Sequence, residues 1–593
     1  MEPAKRMNAV ARELPSGTRM PLSTLSKALL QRFGLLRLPP VHPLVLTLAV
    51  SALLVLFYNA QLWSAVLGWW PGRSLKDLVF LGSIGLFLGI AFNLVLQPFA
   101  FPRLLKPVLI LVVVTAAAVS YFASAYGALM DRTMIANVIE TDTREVGDLM
   151  NLGFLVHMAL FGILPSLAII AVPLRLSGWR REVLFRGATV LGSLALVGLV
   201  AAVFFQDYAV LVRGHREVRF MINPSAAIYA SVRYATAIPE GMTAPFERIA
   251  ARVDRGPIPI STDSKKTVLV FVVGETARAD HFSLNGYGRD TNPELEKRGV
   301  VSFGEVRSCG TSTAESVPCM FSDLDRSHYS VTKAQSRENL LDILVRADVD
   351  VLWLENNSSC KGVCARVPTE TTWSLNDKQY CDGGDCLDDL LVEQLRDALA
   401  ANDRDLVVVL HQIGSHGPSY FKRYTGDYRV FAPTCDTNQL QSCSREEIVN
   451  TYDNSILYTD RFLSEVIDVL AGASDRFNTA FLYASDHGES LGEGGMYLHG
   501  MPYAFAPDTQ KHVPMLFWAS RGYRAASALD MACVRDGADA AYSHDNLFHS
   551  VLGMFGVRTE VYQADLDVFA SCRPGATIAH VAGSPAPDQT ARP

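Results

Sequence analysis

Several short apolar runs end directly in residues that do chemistry. TVLVFVV (267–273) is followed by GETARADHF, which brings Glu275. DLVVVL (405–410) is followed by HQIGSHGP, with His411 and His416, and TAFLYAS (479–485) by SDHGESLGEGGMYLHG, with Asp486, His487 and His499. Carboxylate and imidazole ligands of these types suit a zinc ion. An adjacent Asp-His pair reaches one ion only if the chain turns sharply, and Gly488 permits such a turn. Between the first two runs, SCGTSTAESVPCMF places Thr311, Ser312, Thr313 and Ser316 between two cysteines, ahead of a predicted helix. A hydroxyl at a helix N-terminus sits in a field that favours anions. Beside zinc it can lose its proton and become a nucleophile at neutral pH. The same hydroxyls also serve as helix caps, and spacing alone leaves both roles open.

The elements that must position these groups are readable from the same runs. With VDVLWL (349–354) and VPMLFW (513–518), the runs are continuous and apolar and alternate with helical stretches. That pattern predicts an α/β domain with a mainly parallel central sheet covered on both faces. Ligands in such folds collect at the carboxyl ends of the strands, which is where the polar groups above lie. All ten cysteines fall after residue 300. An even number confined to one region suggests disulfides and an oxidising compartment. Close spacing pairs Cys309 with Cys319, Cys360 with Cys364, Cys381 with Cys386 and Cys435 with Cys443. Cys533 and Cys572 pair by elimination.

The chain has 593 residues, 49% hydrophobic and only 19% charged. The apolar excess lies almost wholly before residue 207. Five uncharged stretches, 43–65, 78–101, 107–128, 153–174 and 187–206, are each long enough to cross a bilayer as a helix. Arg103 and Lys106, the group Arg175, Arg180, Arg181 and Arg186, and a basic N-terminal arm mark the cytoplasmic segments. An odd number of spans puts everything after residue 207 outside, in agreement with the cysteines. The expected domains are a cytoplasmic arm (1–40), a five-helix membrane domain (41–207), bridging interfacial helices and a linker (208–262), a periplasmic catalytic domain (263–575) and a tail (576–593). Asn137, Thr141 and Glu145, four apart in an outer loop, share one helical face and could hold a lipid head group. A solvated amphipathic helix explains that spacing equally well. The net charge of −7 and the lack of a clustered basic face exclude a nucleic-acid partner.

Taken together, the motifs VVGETARADHFSLNGYGRDTNP, SCGTSTAESVPCMFS, HQIGSHGPSYFKRY, YASDHGESLGEGGMYLHGMPYAFAP and SHDNLFHSVLG resemble those of the phosphoethanolamine transferases that decorate bacterial lipopolysaccharide. These belong to the alkaline phosphatase and sulfatase superfamily, and the lipid A type includes the polymyxin-resistance enzymes. The resemblance covers nearly the whole chain. It implies that Thr313 is the nucleophile and a zinc ligand, with Glu275, Asp486 and His487 as the other ligands. It implies that His416 and His499 bind substrate or a second metal and serve in proton transfer. It also implies that Asn137, Thr141, Glu145, Ser358 and Lys361 hold the phosphoethanolamine head group, and it supports the nearby cysteine pairs. The implied activity is that of a monomeric inner-membrane enzyme with one tightly bound zinc ion and room for a second during turnover. The donor is phosphatidylethanolamine and the acceptor is lipid A or lipopolysaccharide, a core sugar or periplasmic glycan being the alternative.

Overall fold

In the computed structural model, the described residues are 39–70, 74–140, 146–147, 149–243, 245–255, 265–375, 377–382 and 385–573. The chain divides into two compact units. One comprises residues 1–58, 70–117 and 158–210 and holds most of the long apolar helices. The other comprises 59–69, 118–157 and 211–593.

Among the described residues, four helices are long and apolar enough to cross a membrane: Leu75–Phe99, Leu105–Tyr126, Leu152–Ala171 and Trp179–Gly214. A fifth span exists if the bent pair Pro43–Phe57 and Ala60–Trp69 is taken as one. The expected first span, 43–65, is thus broken, with a bend of 56°. The physical reason is Asn59, whose amide donates to the Asn223 carbonyl and accepts from the Asn223 N–H, both at 2.8 Å. Those bonds draw a polar side chain out of the apolar run. In the first unit, Val50 and Leu54 are buried together with Ile84 and Leu88. The outer faces keep large apolar groups exposed, Leu184, Val203 and Phe205 among them. Helices apolar all round suit a hydrocarbon solvent rather than water.

The second unit is built on a seven-stranded sheet. In chain order its strands are β1 (Lys266–Gly274), β2 (Val301–Phe303), β3 (Asp350–Glu355), β4 (Thr369–Thr371), β5 (Leu406–His411), β6 (Phe477–Ser485) and β7 (Met515–Ala519). Their order across the sheet is β2-β7-β6-β1-β5-β3-β4. The central pairs β6–β1, β1–β5, β5–β3 and β3–β4 are parallel. β7 runs antiparallel to both of its neighbours, so the sheet is mixed. Alternate residues of each central strand feed opposite cores. Leu269, Phe271 and Val273 enter one, and Val268, Val270 and Val272 the other. This is the burial that a continuous apolar run requires. On the second face lie α1 (Asp389–Ala401) and the long α2 (Arg445–Gly472), which contributes Tyr452, Ile456, Phe462 and Leu463. A reciprocal capping box between Ser444 and Glu447 starts α2. The edge strands β2 and β4 have three residues each, too few to show a periodicity in the sequence.

The five cysteine pairs are bonded: 309–319, 360–364, 381–386, 435–443 and 533–572.

Candidate active site

β1 and β6 are parallel neighbours in register, with Ser485 opposite Gly274. Their carboxyl ends are therefore level, and the residues that follow, Glu275 on one side and Asp486 and His487 on the other, emerge side by side. All three are fully buried. The Thr313 hydroxyl, on the first residue of helix Thr313–Met320, donates to Glu275 Oε2 at 3.1 Å and lies 3.4 Å from His487 Nε2. His487 Nε2 is also 3.4 Å from Glu275 Oε1 and 3.4 Å from Asp486 Oδ2. His487 Nδ1 is 2.9 Å from the Gly488 carbonyl. A carbonyl only accepts, so in the neutral ring the proton is on Nδ1 and the Nε2 lone pair faces the carboxylates.

The electrostatics of this group call for a cation. Burial disfavours charge on Glu275, but when the His487 ring is protonated its hydrogen bond and charge outweigh burial and hold the carboxyl below the usual carboxylate range. Asp486 is pushed well above that range, by burial first and by the Glu275 charge second. Glu275 Oε1 and Asp486 Oδ2 are buried without a hydrogen-bond donor. One ligand atom each from Glu275, Asp486 and His487 lie within 4.8 Å of one another. Two carboxylates, an imidazole nitrogen and a hydroxyl form a donor set that fits zinc. Glu275 also groups with His416 and His499 within the same limit. The His499 ring lies 4.3 Å from that of His487 and 5.8 Å from that of His416.

Of the alternatives left open for the hydroxyls, side-chain capping is not what the structure shows. Ser312 is the N-cap but makes no side-chain cap bond. Thr311 donates to the Met501 carbonyl at 2.6 Å, and Ser316 accepts from the Gly310 N–H at 2.9 Å. Thr313 is the hydroxyl that faces the acidic group. His411 belongs elsewhere: it is the last residue of β5, and its Nδ1 pairs with buried Glu355 at 2.9 Å. Gly488 serves for a reason other than the turn expected of it. Its backbone is not left-handed, but a Cβ there would fall on the Thr509 carbonyl oxygen. Gly500, at φ +85°, combines both constraints, since a Cβ would meet the Asn137 amide at 3.0 Å. Asn137 therefore lies against the residue that follows His499. Thr141 and Glu145 fall outside the described residues. Ser358 and Lys361 are brought together, with Nζ donating to the Ser358 hydroxyl at 3.0 Å. The 360–364 disulfide brackets the lysine, and Lys361 acts electrostatically on Glu140, at the end of helix Arg132–Glu140.

Other residues of the site carry no signal of their own in the sequence. The Asn357 amide donates to Glu275 Oε2 at 2.7 Å and to the Gln412 carbonyl at 3.0 Å. Buried Glu489 pairs with His499 Nδ1 at 3.2 Å. His544 accepts from the Cys309 N–H at 3.1 Å and lies 2.9 Å from the Ser485 carbonyl. Burial pushes its pKa down to about 3, so it is neutral with its proton on Nε2. It thereby joins the loop that leads to Thr313 to the strand that delivers Asp486. Asp388 accepts from Asn356 and from the Ile413 and Gly414 N–H groups, at 2.7, 2.8 and 3.0 Å, and so fixes the loop that carries His416. Thr276 adopts φ +54° directly after Glu275. The Tyr452 hydroxyl clamps that turn, donating to the Thr276 carbonyl at 2.7 Å and accepting from the Arg278 N–H at 3.0 Å. Asn357 directly precedes Ser358 and Glu489 lies inside SDHGES, so the neighbourhood of those residues was the available signal. His544 lies inside SHDNLFHSVLG, which marked the segment but no role for the residue, and nothing local marks Tyr452.

Residues 267–557 match the Sulfatase family model. Residues 88–238 match the model of phosphoethanolamine transferase EptA/EptB. The chain is 42% identical over 541 residues to phosphoethanolamine transferase EptA of Escherichia coli K12, covering 91% of this chain and 98% of that protein. It is 38% identical over 525 residues to phosphatidylethanolamine transferase Mcr-2 of Escherichia coli, covering 87% and 96%. It superposes on the integral membrane lipooligosaccharide phosphoethanolamine transferase A of Neisseria meningitidis with a TM-score of 0.87 at 40% identity, covering 90% of this chain and all of that one.

Proposed function

Since the chain belongs to the phosphoethanolamine transferase family, we propose that it moves phosphoethanolamine from phosphatidylethanolamine to a phosphate of lipid A, with Thr313 as the covalent carrier. The observation that carries this reading is the Thr313 hydroxyl at 3.1 Å from Glu275 Oε2, beside His487 and two buried carboxylate oxygens without donors. The names of two relatives supply the substrates: phosphatidylethanolamine for one and lipooligosaccharide for the other.

Glu275, Thr313, Asp486 and His487 would hold zinc, which would supply Lewis acidity toward the developing phosphoryl charge. Thr313 gives up its proton along the existing hydrogen bond to Glu275 Oε2, and its oxygen attacks the donor phosphorus. The bond to the diacylglycerol oxygen breaks, and that oxygen takes a proton from His416 or His499. A lipid A phosphate oxygen, whose proton passes to the same histidine, then attacks the same phosphorus; the bond to Thr313 breaks and its oxygen recovers the proton from Glu275. Lys361 and Ser358 steady the phosphoryl oxygens. Asn137, Thr141 and Glu145 receive the ethanolamine end. With two half-reactions the kinetics are ping-pong. Five spans within residues 41–207, a bridging region at 208–262 and a periplasmic catalytic domain at 263–575 put the site of this monomeric inner-membrane enzyme at the outer face, where both lipid head groups lie. Adding an ethanolamine ammonium to lipid A lowers surface negative charge and weakens the binding of cationic peptides such as polymyxin.

Thr313→Ala removes the carrier. Mass spectrometry of lipid A from cells expressing it is expected to show no phosphoethanolamine addition, and intact mass of the wild-type protein after donor alone an adduct on Thr313. Modified lipid A made by Thr313→Ala would refute the mechanism.

A further inference from the structure

Tyr503 is surrounded by three cations from three separate segments. The Arg326 guanidinium lies over its ring at 3.4 Å and the Lys511 ammonium 5.2 Å from the ring centroid. Arg307 is the third, and its charge acts on both Tyr503 and Lys511. Three carboxylates face them, none in a pair that is both close and buried. Asp508, which pairs with Arg307 at 2.9 Å, is 74% exposed, and such pairs hold little free energy. Glu315 stands 3.6 Å from Arg326, beyond hydrogen-bond range. The Asp545 carboxylate is engaged by the Arg326 backbone N–H at 3.0 Å. Burial holds the Lys511 ammonium below the usual lysine range; Asp508 opposes that, and Arg307 and Arg326 add to it.

This cluster is fastened to the loop of the reacting threonine. Arg307 directly precedes Ser308. The Tyr503 hydroxyl donates to the Ser308 carbonyl at 3.0 Å, and the Ser308 N–H to the Lys511 carbonyl at 2.8 Å. The Arg326 guanidinium donates to the Cys309 carbonyl. The cations are thus fastened to residues 307–309, on the loop that leads to Thr313, whose hydroxyl faces Glu275 and His487. Phe505, two residues past Tyr503, packs on Phe220 at 5.9 Å. Phe220 comes six residues after the end of apolar helix Trp179–Gly214. The patch therefore adjoins the segment by which the chain leaves that helix.

We propose that Arg307, Arg326 and Lys511 around Tyr503 form a subsite for a second phosphate of the acceptor glycolipid, holding it while another of its phosphates meets Thr313. This deepens the function proposed above and rests on it. Guanidinium forks and an ammonium are the groups that recognise phosphate. The donor is a poor occupant, because its head group carries an ammonium that three cations would repel. An anionic phospholipid of the bilayer offers the same phosphate chemistry, so the test separates the two sources.

The test uses the full chain in nanodiscs of zwitterionic lipid, with a bisphosphorylated lipid A disaccharide and its monophosphorylated counterpart. Arg326 braces Cys309, so the variants are Arg307→Gln, Lys511→Gln and the pair. Equilibrium binding of the bisphosphorylated lipid is expected to weaken about tenfold or more in the double variant, and its KM to rise by the same factor. The kcat and the binding of the monophosphorylated lipid should stay within about twofold. Unchanged binding, an equal loss for both lipids, or a fall in kcat at constant KM would each overturn the subsite. If phosphatidylglycerol competes as well as the bisphosphorylated lipid, and only when both residues are intact, the patch serves the bilayer and the acceptor assignment falls. If the wild type binds the glycolipid but transfers nothing to it, the proposed function fails while the phosphate subsite stands.

Discussion

At the scale of single residues, the site is a set of charges that burial would forbid were they not arranged against one another. Asp388 shows this away from the reacting groups. Burial pushes its carboxyl up to about 6 despite three donors, whereas the unfolded chain holds it near ~3.9. The folded state therefore binds the extra proton between those values, and stability falls as pH rises through that window. The ionised group costs about 3 kcal/mol at neutral pH. Thermal melting of the full chain and of Asp388→Asn, compared from about pH 4 to 7, is expected to show the wild type losing ground as pH rises. A difference that does not change with pH would refute the assignment.

At the scale of elements, the active-site turns are held by side chains from distant helices. Tyr452 stands on α2, far along the chain from Thr276, yet its hydroxyl satisfies both peptide groups of a turn strained at φ +54°. Tyr452→Phe leaves a buried carbonyl and a buried N–H without partners, at a cost of about 1–3 kcal/mol. It is expected to lower the melting temperature and to weaken metal retention during dialysis against a chelator. Retention equal to wild type would show that Glu275 does not need the clamp. This division also explains what was legible in the sequence. Apolar runs located β1, β3, β5, β6 and β7, because strands buried on both faces have no polar period to obscure them. Motif ends then located Glu275, Asp486 and His487, because the parallel strands bring those ends level. Tyr452 was not legible, and His544 was legible only as part of SHDNLFHSVLG, since their roles depend on which backbone groups the fold sets opposite them. β7 was found, but its direction was not, because an apolar run carries no mark of which way its neighbours point. The break at Asn59 was hidden for a similar reason: one amide in an apolar stretch reads as tolerated until its partner, Asn223, is known.

At the scale of the whole molecule, two kinds of surface meet two kinds of restraint. The apolar helices expose Leu184, Val203 and Phe205 and need no crosslink if hydrocarbon surrounds them. The second unit carries all five disulfides. On chain-entropy grounds the 533–572 link, 39 residues apart, is worth about 4 kcal/mol, against about 2 for the 360–364 link. Effects on activity are expected in the opposite order, because the short link brackets Lys361. The Cys533→Ser/Cys572→Ser pair should melt earlier with turnover nearly intact. The Cys360→Ser/Cys364→Ser pair should melt close to wild type with a raised KM for the donor. The reverse ranking in melting and kinetic assays would contradict this division.

The order of those links along the chain has its own consequence. Each cysteine is joined to the next one in sequence, 309 to 319 through to 533 to 572. An oxidase that couples thiols in the order they emerge from a translocation channel would write the native set at the first attempt. If this half of the protein is exported as proposed, its biogenesis needs an oxidant, but no isomerase to correct its work.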